Sequence, residues 1–314
     1  MDKHSPPEFN SSFYKLRYWP TWLGLGFFYL LGRLPMAISL SFGRILGDLF
    51  FYFASSRRRI AEINIALGFP QLSPVEQKTL VHKIMHSTGK SIVETSVALW
   101  GPARQLKTRY TIKGLEHIEA AQAQGLGVLL VGCHFTTLDA AGRILAFHVK
   151  YDMLYRKDPN PLLAYKLVKA REGFTGSAIV RSNTRQLIKN LRQGHVIWYA
   201  PDQDYGIKHS VFAPFFGVQA ATVTGTARIA ELGKAVVIPF SHYRDEHNCY
   251  HLVIDAALQN FPTGNDVADA TRINEILEKA IAKQPDQYLW VHRRFKTRPS
   301  GEPSLYPKKK YRHQ

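Results

Sequence analysis

Gly127-Val128-Leu129-Leu130-Val131-Gly132-Cys133-His134-Phe135-Thr136-Thr137-Leu138-Asp139 decides the reading of this chain. The apolar run bounded by Gly132 reads as a buried strand of a sheet covered by helices. The strand hands over to a histidine, and an aspartate follows five residues later as the next helix begins. Ligands of open α/β sheets bind beyond the carboxyl ends of strands, so both side chains stand where chemistry is done. On one continuous helix a spacing of five would place them about 140° apart. They meet only if the chain turns between them. A strand, Gly132, a short link and a helix starting near Thr137 supply that turn.

Working outward, strands and helices alternate. Strands are expected at 127–131, 151–155, 177–181, 195–200, 235–240 and 250–254, and helices at 138–147, 161–172, 184–192, 222–232 and 267–283, with Asn160-Pro161 and Asn183-Thr184-Arg185-Gln186 as the starts of the second and third. Repeated βα units imply an α/β fold with a mostly parallel central sheet flanked by helices. Upstream, Ser73-Pro74-Val75-Glu76 has an N-cap serine, a proline at the first helical position and a glutamate at the third. The helix it starts runs to Trp100 and ends at Gly101-Pro102. His82 and His86 lie one turn apart on it. The sequence offers them no acidic third ligand in the His-Glu-x-x-His manner, so they read as surface histidines.

The chain of 314 residues is 45% hydrophobic, which supports a full core. Its 41 Lys and Arg against 24 Asp and Glu give a formal charge of +17. A surplus of this size favours anionic partners such as a membrane surface, a phosphorylated substrate or an acidic protein. No basic helix with interleaved aromatics points to nucleic acid. The two cysteines, Cys133 and Cys249, form no disulfide framework and no zinc signature. After a polar start, expected to be loose, residues 18–32 and 36–54 are two apolar runs followed by Arg57-Arg58-Arg59. They read as an N-terminal membrane-associated helical segment. Either one helix spans near 18–38, or a pair of helices lies in the interface. Arginines beside such a segment favour the cytoplasmic side. The tail Lys308-Lys309-Lys310-Tyr311-Arg312 is basic.

Four stretches carry candidate chemistry. In the first, His134 is a proton acceptor whose ordinary pKa lies near neutrality, and Asp139 is a carboxylate to fix its tautomer. Cys133 should point away, so the substrate's own hydroxyl is the economical nucleophile. The competing reading is structural: Thr136-x-x-Asp139 is also a near capping box. In the second, Arg156 at the end of the 151–155 strand suits a phosphate or a developing oxyanion. Arg171 offers another guanidinium. In the third, Asp202-Gln203-Asp204 follows a strand end and suits substrate hydroxyls, loop organisation or a divalent metal. The aromatic loop 211–217 after it suits an acyl chain or, equally, packing within the loop itself. In the fourth, Val236-Val237-Ile238-Pro239-Phe240 should build a pocket wall.

Taken in order, His-x4-Asp, a strand-end arginine, a Pro-Asp turn before an aromatic loop and a later Val-Ile-Pro resemble the four blocks of the glycerolipid-type acyltransferases. Three further stretches narrow the resemblance: 17–24, 199–206 and Gln287-Tyr288-Leu289-Trp290-Val291-His292-Arg293-Arg294-Phe295-Lys296-Thr297-Arg298-Pro299. From about residue 14 to 306 the chain resembles the late acyltransferases of lipid A biosynthesis. The resemblance implies transfer of a fatty acyl chain from acyl carrier protein to a hydroxyl of a 3-hydroxyacyl chain on a Kdo-bearing lipid A precursor. It implies His134 as base and Asp139 as its acidic partner, where some members carry Glu. Arg156 would meet the thioester oxygen or a phosphate, and Asp202 matches the third block as a substrate contact; Arg171, from its place at a helix end, is a further candidate for binding substrate. No cofactor and no metal is implied, because a thioester is already activated. The expected organisation is a tail and membrane anchor over 1–60, an acyltransferase domain over 61–306 and a basic tail over 307–314. The expected location is the inner membrane, held by a single N-terminal anchor, with the catalytic domain on the cytoplasmic face.

Three alternatives differ in kind. An acyltransferase acting on a glycerophospholipid or another glycolipid would share the sheet-edge blocks. A metal-dependent glycosyltransferase would use Asp202 and Asp204 and lose activity on chelation. A non-enzymatic membrane-binding module would be indifferent to His134→Ala.

Overall fold

The structure, a computed structural model, describes residues 7–307, so seven residues of the expected basic tail, 308–314, lie outside the described residues. Within the described residues, the stretch from 11 to 18, expected to lie at the end of a loose start, is folded. Two short 3-10 turns, Ser11–Tyr14 and Leu16–Tyr18, bury Phe13 against Tyr18 and Leu162. Four helices follow: α1 (Trp19–Arg33), α2 (Met36–Phe53), α3 (Ser55–Gly68) and α4 (Pro74–Trp100). The chain then runs through α5 (Arg104–Lys107), β1 (Tyr110–Lys113), α6 (Leu115–Ala123), β2 (Gly127–Val131), α7 (Leu138–Leu145), β3 (Tyr151–Tyr155) and α8 (Pro161–Glu172). It continues through β4 (Ala178–Val180), α9 (Thr184–Arg192), β5 (Val196–Tyr199), β6 (Ser210–Phe215), β7 (Val218–Val223), α10 (Gly225–Gly233), β8 (Ala235–Arg244), β9 (Tyr250–Ile254) and α11 (Asp266–Lys283).

The main sheet has the order β1-β9-β8-β2-β5-β3-β4, and only β8 and β9 pair antiparallel. This is the expected α/β architecture. β2 sits at its centre and is buried along its whole length. Alternate residues of a strand point to opposite faces. Leu129 and Val131 therefore join one apolar layer with Leu187, Leu191, Ile229, Ile273 and Leu277. Val128 and Leu130 join the other with Val93, Val97, Ala140, Ile144 and Leu145. Each such side chain contributes roughly 1.5–3 kcal/mol on burial, which holds β2 and the turn after it in place.

The expected caps are present. Ser73 and Glu76 form the capping box of α4, with the Ser73 N–H donating to Glu76 Oε2 at 2.8 Å. Asn160 caps α8 and Asn183 caps α9. Two expectations change. The helix expected over 222–232 begins at Gly225, because Val218–Val223 folds back on Ser210–Phe215 as a hairpin. Its two-residue turn, Phe216-Gly217, has positive φ at both positions (49° and 75°), the geometry that suits a twisted hairpin. The aromatic loop is thus hairpin core, with Phe215 fully buried. The single span expected near 18–38 is broken at Leu34-Pro35, where α1 gives way to α2.

α1 and α2 carry most of the exposed large apolar side chains, among them Leu23, Phe27, Leu30, Ile38, Ile45 and Phe53. Among the described residues, α2 alone is long and apolar enough to cross a membrane. An apolar face of this extent suits contact with a membrane or a partner protein. Of the three arginines behind it, Arg58 is bound to the carbonyl of Phe51 (2.6 Å) and to Glu62 (3.3 Å), and Arg57 to the carbonyl of Val291 (3.2 Å).

Candidate active site

β2, β5 and β3 lie side by side, so their carboxyl ends deliver His134, Asp202 and Arg156 to one edge. The register fixes the first two. Val131 is paired with Tyr199. Three residues beyond that pair, on each side, stand His134 and Asp202. The His134 Nδ1 lies 2.6 Å from Asp202 Oδ1, and the His134 backbone N–H donates to Asp202 Oδ2 at 3.0 Å. One carboxylate thus holds both the ring and the backbone of the same residue. The Asp202 side chain is 1% exposed and that of His134 26%, so the pair is closed on the acid's side and open on the base's. An ionised carboxylate only accepts, so Nδ1 carries the proton and Nε2 is left with its lone pair.

The electrostatics follow from this contact. Burial alone would lower the His134 pKa, but the charge of Asp202 and its hydrogen bond outweigh it and raise the value above 6.5. Burial would raise Asp202, yet the charge and hydrogen bonds of His134 hold it below 3.8. Burial also drives the Cys133 thiol well above its ordinary value, so that side chain is an inert member of the core.

Asp139, expected to be the partner of His134, is held elsewhere. It stands in the first turn of α7. Its Oδ1 accepts from Arg171 Nε (3.2 Å) and Nη2 (2.9 Å), and its Oδ2 from Thr95 Oγ1 (2.8 Å). The carboxylate therefore ties α7 to α8 and α4. The capping reading of Asp139 does not hold either, since Thr137 is the N-cap and makes no side-chain cap. Arg171, expected to meet substrate directly, is committed to Asp139, whose charge raises its pKa. Asp204, the second acid of the Asp-x-Asp stretch, receives the N–H (2.6 Å) and Oγ1 (2.8 Å) of Thr297 and the N–H of Gly206 (2.9 Å). The two acids thus serve separate partners, and the metal pair needed by a glycosyltransferase is not formed.

Two cavities meet at His134. One, of about 220 Å³, runs between Leu138, Leu145, Met153, Phe174 and Phe240, with Asp139 and Arg171 in its wall. The other, of about 620 Å³, is lined by Arg181, Gln203, Tyr205 and His209. Arg156 is exposed and lines both, as does Trp198, whose ring stands edge-on to His134 at 5.8 Å. Phe240 serves as the expected pocket wall. Gly132 is needed here: a Cβ on it would lie 2.7 Å from the Phe240 carbonyl oxygen.

The C-terminal segment supports the site from behind, a role not read in the sequence. The Thr136 N–H donates to the Gln287 carbonyl (2.7 Å), and the Leu289 N–H to the His134 carbonyl (3.1 Å). Tyr288 donates to the Asp202 carbonyl at 3.3 Å. Arg294 is buried and binds the Ala221 carbonyl (2.7 Å) and Thr222 Oγ1 (2.9 Å). His242, also missed, is buried against the same turn, 2.8 Å from Thr137 Oγ1, with its pKa lowered to about 3 by burial.

A histidine polarised by a buried carboxylate, with the neighbouring thiol sealed in the core, has the chemistry to deprotonate a hydroxyl. With an α/β sheet edge and an apolar cavity beside it, the arrangement fits an acyltransferase. Comparison with known proteins narrows the class. A family model described as bacterial lipid A biosynthesis acyltransferase matches residues 6–297, and the chain belongs to this family. The lipid A biosynthesis lauroyltransferase of Escherichia coli K12 is 38% identical over 302 residues, covering 96% of this chain and 99% of its relative. The palmitoleoyltransferase of the same strain is 37% identical, over 95% and 98% of the two chains. The myristoyltransferase is 29% identical, over 96% and 95%. Among solved structures, the 1-acyl-sn-glycerophosphate acyltransferase PlsC of Thermotoga maritima shares 13% identity at a TM-score of 0.36, covering 77% of this chain and 96% of that one.

Proposed function

We propose that the protein transfers a fatty acyl chain from acyl carrier protein to a hydroxyl of a 3-hydroxyacyl chain on a Kdo-bearing lipid A precursor. The observation that carries this reading is the Asp202–His134 pair, open at Nε2 where an apolar cavity meets a wider basic one. The apolar cavity suits the acyl chain, and the wider one, with Arg156 and Arg181, suits the phosphorylated acceptor. His134 Nε2 takes the proton of the acceptor hydroxyl as its oxygen attacks the thioester carbon. Asp202 stabilises the imidazolium that forms. Arg156 faces the charge that develops on the carbonyl oxygen. The intermediate then collapses, the C–S bond breaks, and the leaving carrier thiolate takes the proton back from His134. Asp139 acts as a positioning residue: through Arg171 and Thr95 it keeps the cavity wall in register with the base. The thioester supplies its own activation, so the step draws on no cofactor.

The charge of +17 draws the acidic carrier and the anionic acceptor to the enzyme, an attraction that salt screens. The reading places the protein at the inner membrane with its sheet on the cytoplasmic side. α1, at 15 residues, is about 22 Å long, short of a hydrocarbon core of about 30 Å, so α1 suits the interface, while α2 has the length and composition to cross. The test incubates purified full-length enzyme with radiolabelled lipid A precursor and a panel of acyl carrier protein thioesters. Labelled acyl product from at least one thioester, abolished by His134→Ala, is the expected result. No transfer from any thioester overturns the function, and transfer that survives His134→Ala overturns the mechanism.

A further inference from the structure

The helix α4 carries a second histidine constellation, remote in sequence from the base and absent from the reaction above. His82 and His86, one turn apart, both direct Nε2 at Oδ1 of Asp48 on α2, at 2.9 and 2.7 Å. Their rings are 4.4 Å apart. The acidic third ligand that the local sequence lacks is thus supplied by a different helix. We propose that Asp48, His82 and His86 form a zinc site that staples α2 to α4.

Three arguments support it. First, the donor set is two imidazole nitrogens and one carboxylate oxygen, which suits zinc with a further position left for water. The three side chains are 42, 39 and 17% exposed, so solvent reaches that position. Second, the fit is close. Zinc bonds of about 2.0–2.2 Å at tetrahedral angles put ligand atoms about 3.3 Å apart. The present separations need to open by about half an ångström, within reach of small side-chain rotations, as the two Nε2–H protons leave. Third, the site is pre-organised by the backbone. A Cβ on Gly47, next to Asp48, would lie 2.5 Å from the Cα of His86, and one on Gly89 would lie 2.2 Å from the carbonyl oxygen of Gly43. The helices touch there through glycines, so Asp48 cannot drift from His86. On its other side His82 is held by the edge-on ring of Phe51 at 4.6 Å. The staple would brace the membrane-facing α2 on the helix whose far end carries Thr95, the partner of Asp139.

A second cluster, Asp245, Cys249 and His251, differs in kind. Its carboxylate is already used by the backbone N–H groups of His247 (2.9 Å) and Cys249 (2.8 Å), which shape the β8–β9 turn. The test therefore uses a Cys249→Ser background. Detergent-solubilised full-length protein is stripped with chelator and equilibrated with zinc chloride, and bound zinc is counted. About one zinc per chain is expected, with binding weakened more than about 100-fold by Asp48→Asn and by His86→Gln. Asparagine keeps the shape of Asp48 and a hydrogen bond to the histidines, and circular dichroism confirms the fold. Cobalt(II) gives an independent readout, the visible bands of a tetrahedral ion, lost in both variants. No zinc retained by the Cys249→Ser protein overturns the proposal, as does zinc retained equally by Asp48→Asn. The readout is metal, not acyl transfer, so its failure is distinct from failure of the proposed function.

Discussion

Replacing Asp202 by asparagine tests the site most directly. Asp202 offers one oxygen to His134 Nδ1 and the other to the His134 backbone N–H. An asparagine has one acceptor oxygen for these two donors. If that oxygen keeps the backbone bond, the amide nitrogen faces Nδ1 and donates to it. The imidazole proton then moves to Nε2, the atom that must accept from the substrate. A wrong tautomer of this kind costs a histidine base on the order of 10⁴-fold in kcat, or about 5 kcal/mol. The pH profile adds a second mark. Asp202 is what raises His134 above 6.5 against its burial. Without the charge, burial prevails and the pKa falls. In wild type, kcat/KM should drop as pH falls through a value above 6.5, and in Asp202→Asn the residual activity should drop at lower pH. The assay is acyl transfer across a pH series with both enzymes. Activity within tenfold of wild type, with an unmoved acidic limb, would refute the assignment of Asp202.

The same pair makes stability depend on pH. The raised His134 pKa contributes stability fully below its unfolded value of 6.5, lost as pH rises through the folded value. The lowered Asp202 pKa contributes above 3.8, lost as pH falls through the folded value. The melting difference between wild type and Asp202→Asn should be larger near about pH 5 than near about pH 9.

Two further variants probe the surroundings. Arg171→Met leaves Asp139 with Thr95 as its remaining partner, so kcat should fall by up to about 10²-fold through misplacement. The acidic limb should stay where it is, because His134 keeps Asp202; a shifted limb would make Asp139 the polarising acid after all. Leu23→Glu with Phe27→Glu removes two exposed apolar side chains from one face of α1. At roughly 1.5–3 kcal/mol each, their loss should weaken vesicle binding roughly 100-fold or more, measured by flotation with anionic liposomes; unchanged flotation would show that α1 does not enter the lipid.

What the sequence revealed about the fold was local. The apolar run ending at Gly132 marked the central strand because burial on both faces leaves a continuous apolar signature. Ser73, Asn160 and Asn183 marked helix starts because their side chains satisfy N–H groups within three residues. The β6–β7 hairpin was missed for the opposite reason. Its aromatic residues read equally as an acyl-chain lining or as packing, and what decides for packing is remote: Arg294, far along the chain, whose guanidinium lies 4.8 Å from the Phe215 ring. The C-terminal segment was recognised by its residues, but its physical role as the backing of the His134 turn needs two backbone hydrogen bonds across more than a hundred residues.

The site shows the same limit, and there it decides a mechanism. His-x4-Asp is a spacing along the chain, and along the chain Asp139 is the acid nearest His134. Asp202 reaches His134 by sheet register, Val131 opposite Tyr199, which no local pattern encodes. The two acids then differ in what they tolerate. Asp139 meets a long, adjustable guanidinium, so one more methylene can be taken up by a shift of Arg171. Asp202 binds two atoms of one residue at fixed distances of 2.6 and 3.0 Å, and a longer side chain in a fully buried space cannot keep both. Asp139→Glu should therefore retain acyl transfer within about tenfold, while Asp202→Glu loses at least about 10²-fold. The resemblance, in which some members carry Glu where Asp139 stands, fits the first half. Equal tolerance at both positions in a side-by-side transfer assay would mean that the Asp202 contact is not what orients the base.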